Sequence, residues 1–67
     1  MITINKLEVL EVVDFIRNNY DINAMKHSDL WSKCFDYIAK NFNLPIGEKS
    51  ASVTECVKEL EAIKGVL

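Results

Sequence analysis

The stretch Ser28–Asn43, SDLWSKCFDYIAKNFN, decides how the rest of this chain is read. Wound at about 100° per residue, it divides almost cleanly into two faces. Leu30, Trp31, Cys34, Phe35, Ile38 and Phe42 gather on one arc, with Tyr37 and Ala39 at its margins. Asp29, Ser32, Lys33, Asp36, Lys40 and Asn43 line the other. A helix divided in this way buries its apolar arc. No other segment carries as many large side chains, so the core is expected to form around it. Ser28 is suited to be its N-cap, and Asp29 complements the positive end of the helix dipole. On the outer face, Asp29–Lys33 and Asp36–Lys40 place acid before base at i,i+4, each pair worth ~0.2–0.5 kcal/mol. Such pairing neutralises the lysines and describes a solvated surface. Asn43-Leu44-Pro45 closes the helix, because proline pushes its predecessor out of the α region.

Toward the N-terminus, Asn5 and Glu8 have the spacing of a capping box, and Ile4 and Val9 that of a hydrophobic staple. A first helix over 5–19 follows. Val9, Val12, Val13, Ile16 and Tyr20 form its inward arc, flanked by Leu10, while Glu8, Glu11, Asp14 and Asn18 lie broadly opposite. Leu7 and Phe15 fall on or beside this polar side. A helix apolar nearly all round is usually covered on more than one side. Either the N-terminal Ile2 and Ile4, or the link after Tyr20, fold back over Leu7 and Phe15, or these residues form a contact surface for a second chain. The link Asp21–His27 allows a short extra turn around 22–26, with Ile22 and Met25 as anchors. His27 has neither metal-ligand spacing to other donors nor an identifiable nucleophile, and reads as a solvent-facing loop residue.

Toward the C-terminus, Leu44–Ala51 reads as a loop, with Leu44 and Ile46 tucked inward. Its Gly-Glu-Lys-Ser lacks the glycine spacing and Gly-Lys-Ser/Thr order of a phosphate loop. Ser52 and Glu55 form a second capping-box pattern, which predicts a third helix over 52–65. Val53, Cys56, Val57, Leu60, Ile63 and Leu67 share its inward arc. Lys64 also falls inside that arc and predicts fraying there, with Gly65 as terminator. The fold expected is all-α: a single helical domain over 1–67, three helices in a small bundle, with a long loop that lets the third cross obliquely.

At 67 residues, 49% hydrophobic and 27% charged, the chain is near the lower limit for a domain that folds alone. Two glycines and one proline leave little room for the turns of an all-β design. The net charge of −2, with Arg17 the single arginine, argues against nucleic acid as a partner. Abundant isoleucine, lysine and asparagine suggest an AT-rich genome, such as that of a phage or other mobile element. The first residues lack the basic start and apolar run of a signal peptide. No stretch approaches the roughly 20 apolar residues needed to cross a bilayer. A cytoplasmic location is expected. Cys34 and Cys56 then read as free, buried thiols on the apolar arcs of neighbouring helices.

The carboxylates are spread singly, so no general acid/base pair stands out. The serines are explained by turns and caps. No catalytic residue, metal site, cofactor site or small-molecule substrate is expected, and the chain does not read as an enzyme. The favoured function is a non-enzymatic protein-binding module: an adaptor, inhibitor or regulatory subunit. It would engage a protein partner, or associate with itself, through Leu7, Glu8, Glu11 and Phe15 of the first helix. The alternative is a helix-turn-helix-like DNA-binding regulator that presents Thr54 and Lys58 of the third helix, with Lys49 on the phosphates.

Overall fold

The computed structural model describes residues 3–66, and side chains as far as Lys64. Within that range the chain is all-α, with three helices: α1 Lys6–Asn19, α2 His27–Asn41 and α3 Ile46–Val66. A single 3₁₀ turn, Ile22–Ala24, sits between α1 and α2, where a turn over 22–26 was expected. No strand occurs among the described residues.

The start of α1 follows from its capping chemistry. The Asn5 side chain accepts from the Glu8 N–H at 2.9 Å, and the Glu8 carboxylate accepts from the Asn5 N–H at 3.0 Å. Two of the amide groups left open at a helix N-terminus are thereby satisfied. Helix α2 begins one residue before the expected Ser28 cap. Its cap is Lys26, whose N–H donates to Asp29 Oδ2 at 3.2 Å. Asp29 is therefore spent on the helix start and not on Lys33. Neither of the two expected i,i+4 ion pairs on α2 closes. Helix α2 stops at Asn41, short of Asn43, with Phe42 extended as its C-cap.

The largest departure lies in the third helix. It starts at Ile46, not Ser52, and the link from α2 is only the four residues Phe42–Pro45. Proline has no N–H to lose at a helix start, so Pro45 ends one helix and opens the next. The Lys49 N–H donates to the Pro45 carbonyl at 2.9 Å, and Glu48 in the first turn suits the dipole. Ile46 consequently remains largely exposed, whereas Leu44 packs on the core as expected. At its other end α3 runs to Val66, past Gly65 and Lys64, so neither residue ends it. Leu67 and Ile2 lie outside the described residues.

Ser52 does not cap anything. It is fully buried in the middle of α3, and its hydroxyl accepts from the Ile4 N–H at 3.0 Å. Ile4 is itself buried, so this bond sews the segment before α1 onto α3. Lys64, the other polar residue within the apolar arc of α3, donates from Nζ to the Met25 carbonyl at 2.6 Å. It thereby holds the end of α3 to the α1–α2 link.

The core draws on every element. Val9, Val12, Val13 and Ile16 come from α1, Leu30, Cys34 and Ile38 from α2, and Val53, Cys56, Val57 and Leu60 from α3. Ile4 and Ile22 plug its ends, and Met25, Trp31, Phe35, Tyr37, Phe42 and Ile63 pack around it. The surface area of 4275 Å² is close to the roughly 4,300 Å² expected of a compact monomer of this mass.

Replacing Ser52 by alanine leaves the Ile4 N–H buried without an acceptor. The expected cost is about 1–3 kcal/mol. Urea titration followed by circular dichroism should show a lower midpoint with an unchanged slope; an unchanged midpoint would contradict the assigned role.

Candidate functional site

Leu7, Glu11 and Phe15 recur every four residues and so lie along one side of α1. Leu7 is 78% exposed, the most open large apolar side chain described, with Leu10 at 40% and Phe15 at 39%. Ile4 does not fold back over Leu7; it turns into the core. Phe15 is partly covered from another direction. Its ring meets Tyr37 of α2, with centroids 4.5 Å apart and planes tilted by 35°. The Tyr37 hydroxyl donates to Glu11 Oε2 at 3.3 Å. Burial, then the Glu11 charge and this bond, hold the Tyr37 phenol protonated above its usual range. The structure thus gathers Glu11 and Phe15 with Tyr37, leaves Leu7 open, and assigns Glu8 to the α1 cap.

Tyr37 was marginal in the sequence pattern. Its position at the edge of the α2 arc is the signal that places it beside α1. Around it, Phe15, Tyr20, Lys33, Asp36, Tyr37, Lys40 and Asn41 line an open groove of about 450 Å³. Lys33 Nζ lies 5.1 Å from the Tyr20 ring centroid, a cation–π placement. Asp14 pairs with Arg17 at 3.7 Å on the outward side of α1.

The residues proposed for duplex contact lie elsewhere, on α3 and facing α2. Lys58 pairs with Glu55 at 3.8 Å, and Lys49 Nζ lies 5.5 Å from the Phe35 ring centroid. The Thr54 hydroxyl donates back to the Ser50 carbonyl at 3.0 Å. Trp31 stacks on Phe35 with centroids 5.3 Å apart. A smaller cleft of about 230 Å³ runs between His27, Trp31, Thr54, Val57, Lys58 and Glu61. His27 is the first residue of α2 and not a loop residue. It is exposed as expected, and its Nδ1–H donates to Glu61 Oε2 at 3.0 Å. Glu61 also reaches Lys64, at 3.7 Å, so these contacts tie the two helix ends together.

Cys34 and Cys56 are free thiols with no exposed surface. Burial pushes both up to about 12 from the ordinary 9.0, and Cys34 adds its own charge effect at Cys56, as neighbours across the α2–α3 contact would. No buried side-chain polar atom among the described residues lacks a partner. No group of three or more His, Cys, Asp or Glu gathers there in a metal-binding arrangement, and no helix is long and apolar enough to cross a membrane.

Compared with known protein families, curated proteins and solved structures, the chain shows no match.

The thiols set a pH dependence. In the unfolded chain they ionise near 9.0, whereas the fold holds them protonated up to about 12. Their contribution to stability is therefore intact below pH 9 and is lost as pH rises from there through about 12. Melting temperature should fall more steeply over that interval in the native chain than in a Cys34→Ala/Cys56→Ala variant; parallel slopes would refute the assignment.

Proposed function

We propose that the protein is a small non-enzymatic binding module whose partner is a protein and whose contact surface is the outer side of α1. The observation that carries this reading is the exposure of Leu7, at 78%, beside the partly open Leu10 and Phe15. Scattered apolar residues on a surface need no explanation, but several along one helix are the mark of a contact face. The aromatic pair Phe15–Tyr37 extends that face onto α2, and aromatic residues are enriched at the centres of protein interfaces. The polar groups of the interior are already engaged in holding the fold, as Ser52 and Lys64 show. That leaves the surface as the place for function.

The alternative, a duplex-binding role through α3, draws less support. Of its proposed contacts, Lys58 faces Glu55 and Lys49 sits on Phe35, so both cations have partners within the chain. Phosphate binding relies on cations free to replace counterions.

The test is capture of partners from source-cell lysate by the native chain and by a Leu7→Glu/Phe15→Glu variant, followed by mass spectrometry. The variant should keep its helical circular dichroism and lose at least about tenfold in captured protein, the loss of about 1.4 kcal/mol or more of binding free energy. Unchanged capture would overturn the reading, and loss of helicity would mark these residues as part of the core. Tight, salt-sensitive binding of the native chain to duplex DNA would favour the alternative.

A further inference from the structure

The two cysteines occupy matched places in the fold. Cys34 is the middle residue of α2 and Cys56 the middle residue of α3. Those helices share the most extensive contact in the bundle. Neither thiol has any exposed surface, and neither do Leu30 and Ile38 beside Cys34 or Val53 and Leu60 beside Cys56. Fraying loosens the ends of a helix first, so it reaches neither sulfur. Nor is α3 free to peel away by itself, because Ser52 and Lys64 bond it to Ile4 and Met25, on either side of α1. A reagent reaches either thiol only when α2 and α3 part, which for a core this small means opening the whole bundle.

We propose that Cys34 and Cys56 are a paired modification site that works as an all-or-none switch: a soft electrophile adds to one thiol of the opened chain, the adduct prevents reclosure, and the second thiol is left exposed to react. For an α,β-unsaturated carbonyl the step is a conjugate addition. The thiolate sulfur bonds to the β-carbon, the C=C π pair moves to the α-carbon, and that carbon takes a proton from water. No oxidant and no leaving group are needed. The folded chain is inert because its thiols are both covered and held protonated up to about 12, whereas in the opened chain they ionise at the ordinary 9.0. Once formed, the adduct has no place in the core. Protein interiors are close-packed, so added atoms on a sulfur with no exposed surface force its neighbours apart. The carbonyl groups of the reagent would also be buried without donors. A bundle of this size has little stability with which to offset either cost. A single buried thiol would only trap the chains that happen to open. With one thiol at the centre of each helix, the first addition commits the chain to the second. Every contact that requires the folded chain is withdrawn with it, whatever the partner is.

The test is a time course of the full chain with N-ethylmaleimide, dilute enough that the rate stays first order in reagent, read by intact mass and circular dichroism. At partial reaction the chain should carry two adducts or none, with single adducts rare. Without denaturant, modification should be at least about a hundredfold slower than in the urea-unfolded chain, as expected where only a small fraction of molecules is open. The logarithm of the rate should rise with urea in parallel with the unfolding equilibrium. After urea is removed, the doubly modified chain should lack the helical signal of the native one. Cys34→Ala and Cys56→Ala, each with one thiol left, should likewise lose that signal on a single addition. Accumulation of a single adduct overturns the proposal, as does a rate indifferent to urea. So does any modified chain, native or single-thiol, that keeps native helicity. If either alanine variant fails to fold, the native chain still decides, because its adduct count, urea dependence and helicity are read without it.

Discussion

Everything in this small bundle depends on the burial of one side chain per turn along α2. Leu30, Cys34 and Ile38 have no exposed surface, and α1 and α3 close over them from either side. Apolar burial contributes roughly 25 cal/mol per Å² removed from water, so a chain this short has little stability to spare beyond that contact. Its two thiols illustrate the same constraint. Cys34 and Cys56 act as small apolar residues, and the dry surroundings that stabilise the fold also keep them from ionising.

Two polar side chains complete what burial begins. Ser52 and Lys64 interrupt the apolar arc of α3, and each reaches a backbone group of another segment. A buried backbone group without a partner costs more than a typical hydrogen bond returns. These contacts therefore fix the segments at either end of α1, Ile4 before it and Met25 after it, onto α3. With α1 anchored at both ends, its outer side is held steady with Leu7 open and Phe15 against Tyr37. The firmness of the proposed contact surface follows from bonds on the opposite side of the helix.

Much of the architecture was legible in the residues. The capping box of Asn5 and Glu8, the buried stripes of all three helices and the anchoring by Ile22 and Met25 rest on spacing and local hydrogen bonding, which act within a few residues. The start of α3 was not legible, because Ser52 and Glu55 match a capping box as well as Asn5 and Glu8 do. Pro45 was read only as a stop, although a residue without an N–H serves a helix start equally well. On the candidate site, the outward placement of Leu7 and Phe15 could be read from their angles. The pairing of Phe15 and Glu11 with Tyr37 could not, since it depends on how α1 lies against α2.

The sequence by itself determined the helical class, the faces turned inward and the chemistry of the first cap, because periodicity and capping are local properties of the chain. Only the tertiary structure decided which of two similar patterns, Asn5–Glu8 and Ser52–Glu55, is a cap and which holds a clasp. A cap is recognised by neighbours three residues away, whereas the Ser52 hydroxyl bonds to Ile4, 48 residues distant. The same holds for Ser28–Asn43. Its charged face reads in isolation as self-paired, but in the folded chain Asp29 caps its own helix and Lys33 turns to the ring of Tyr20.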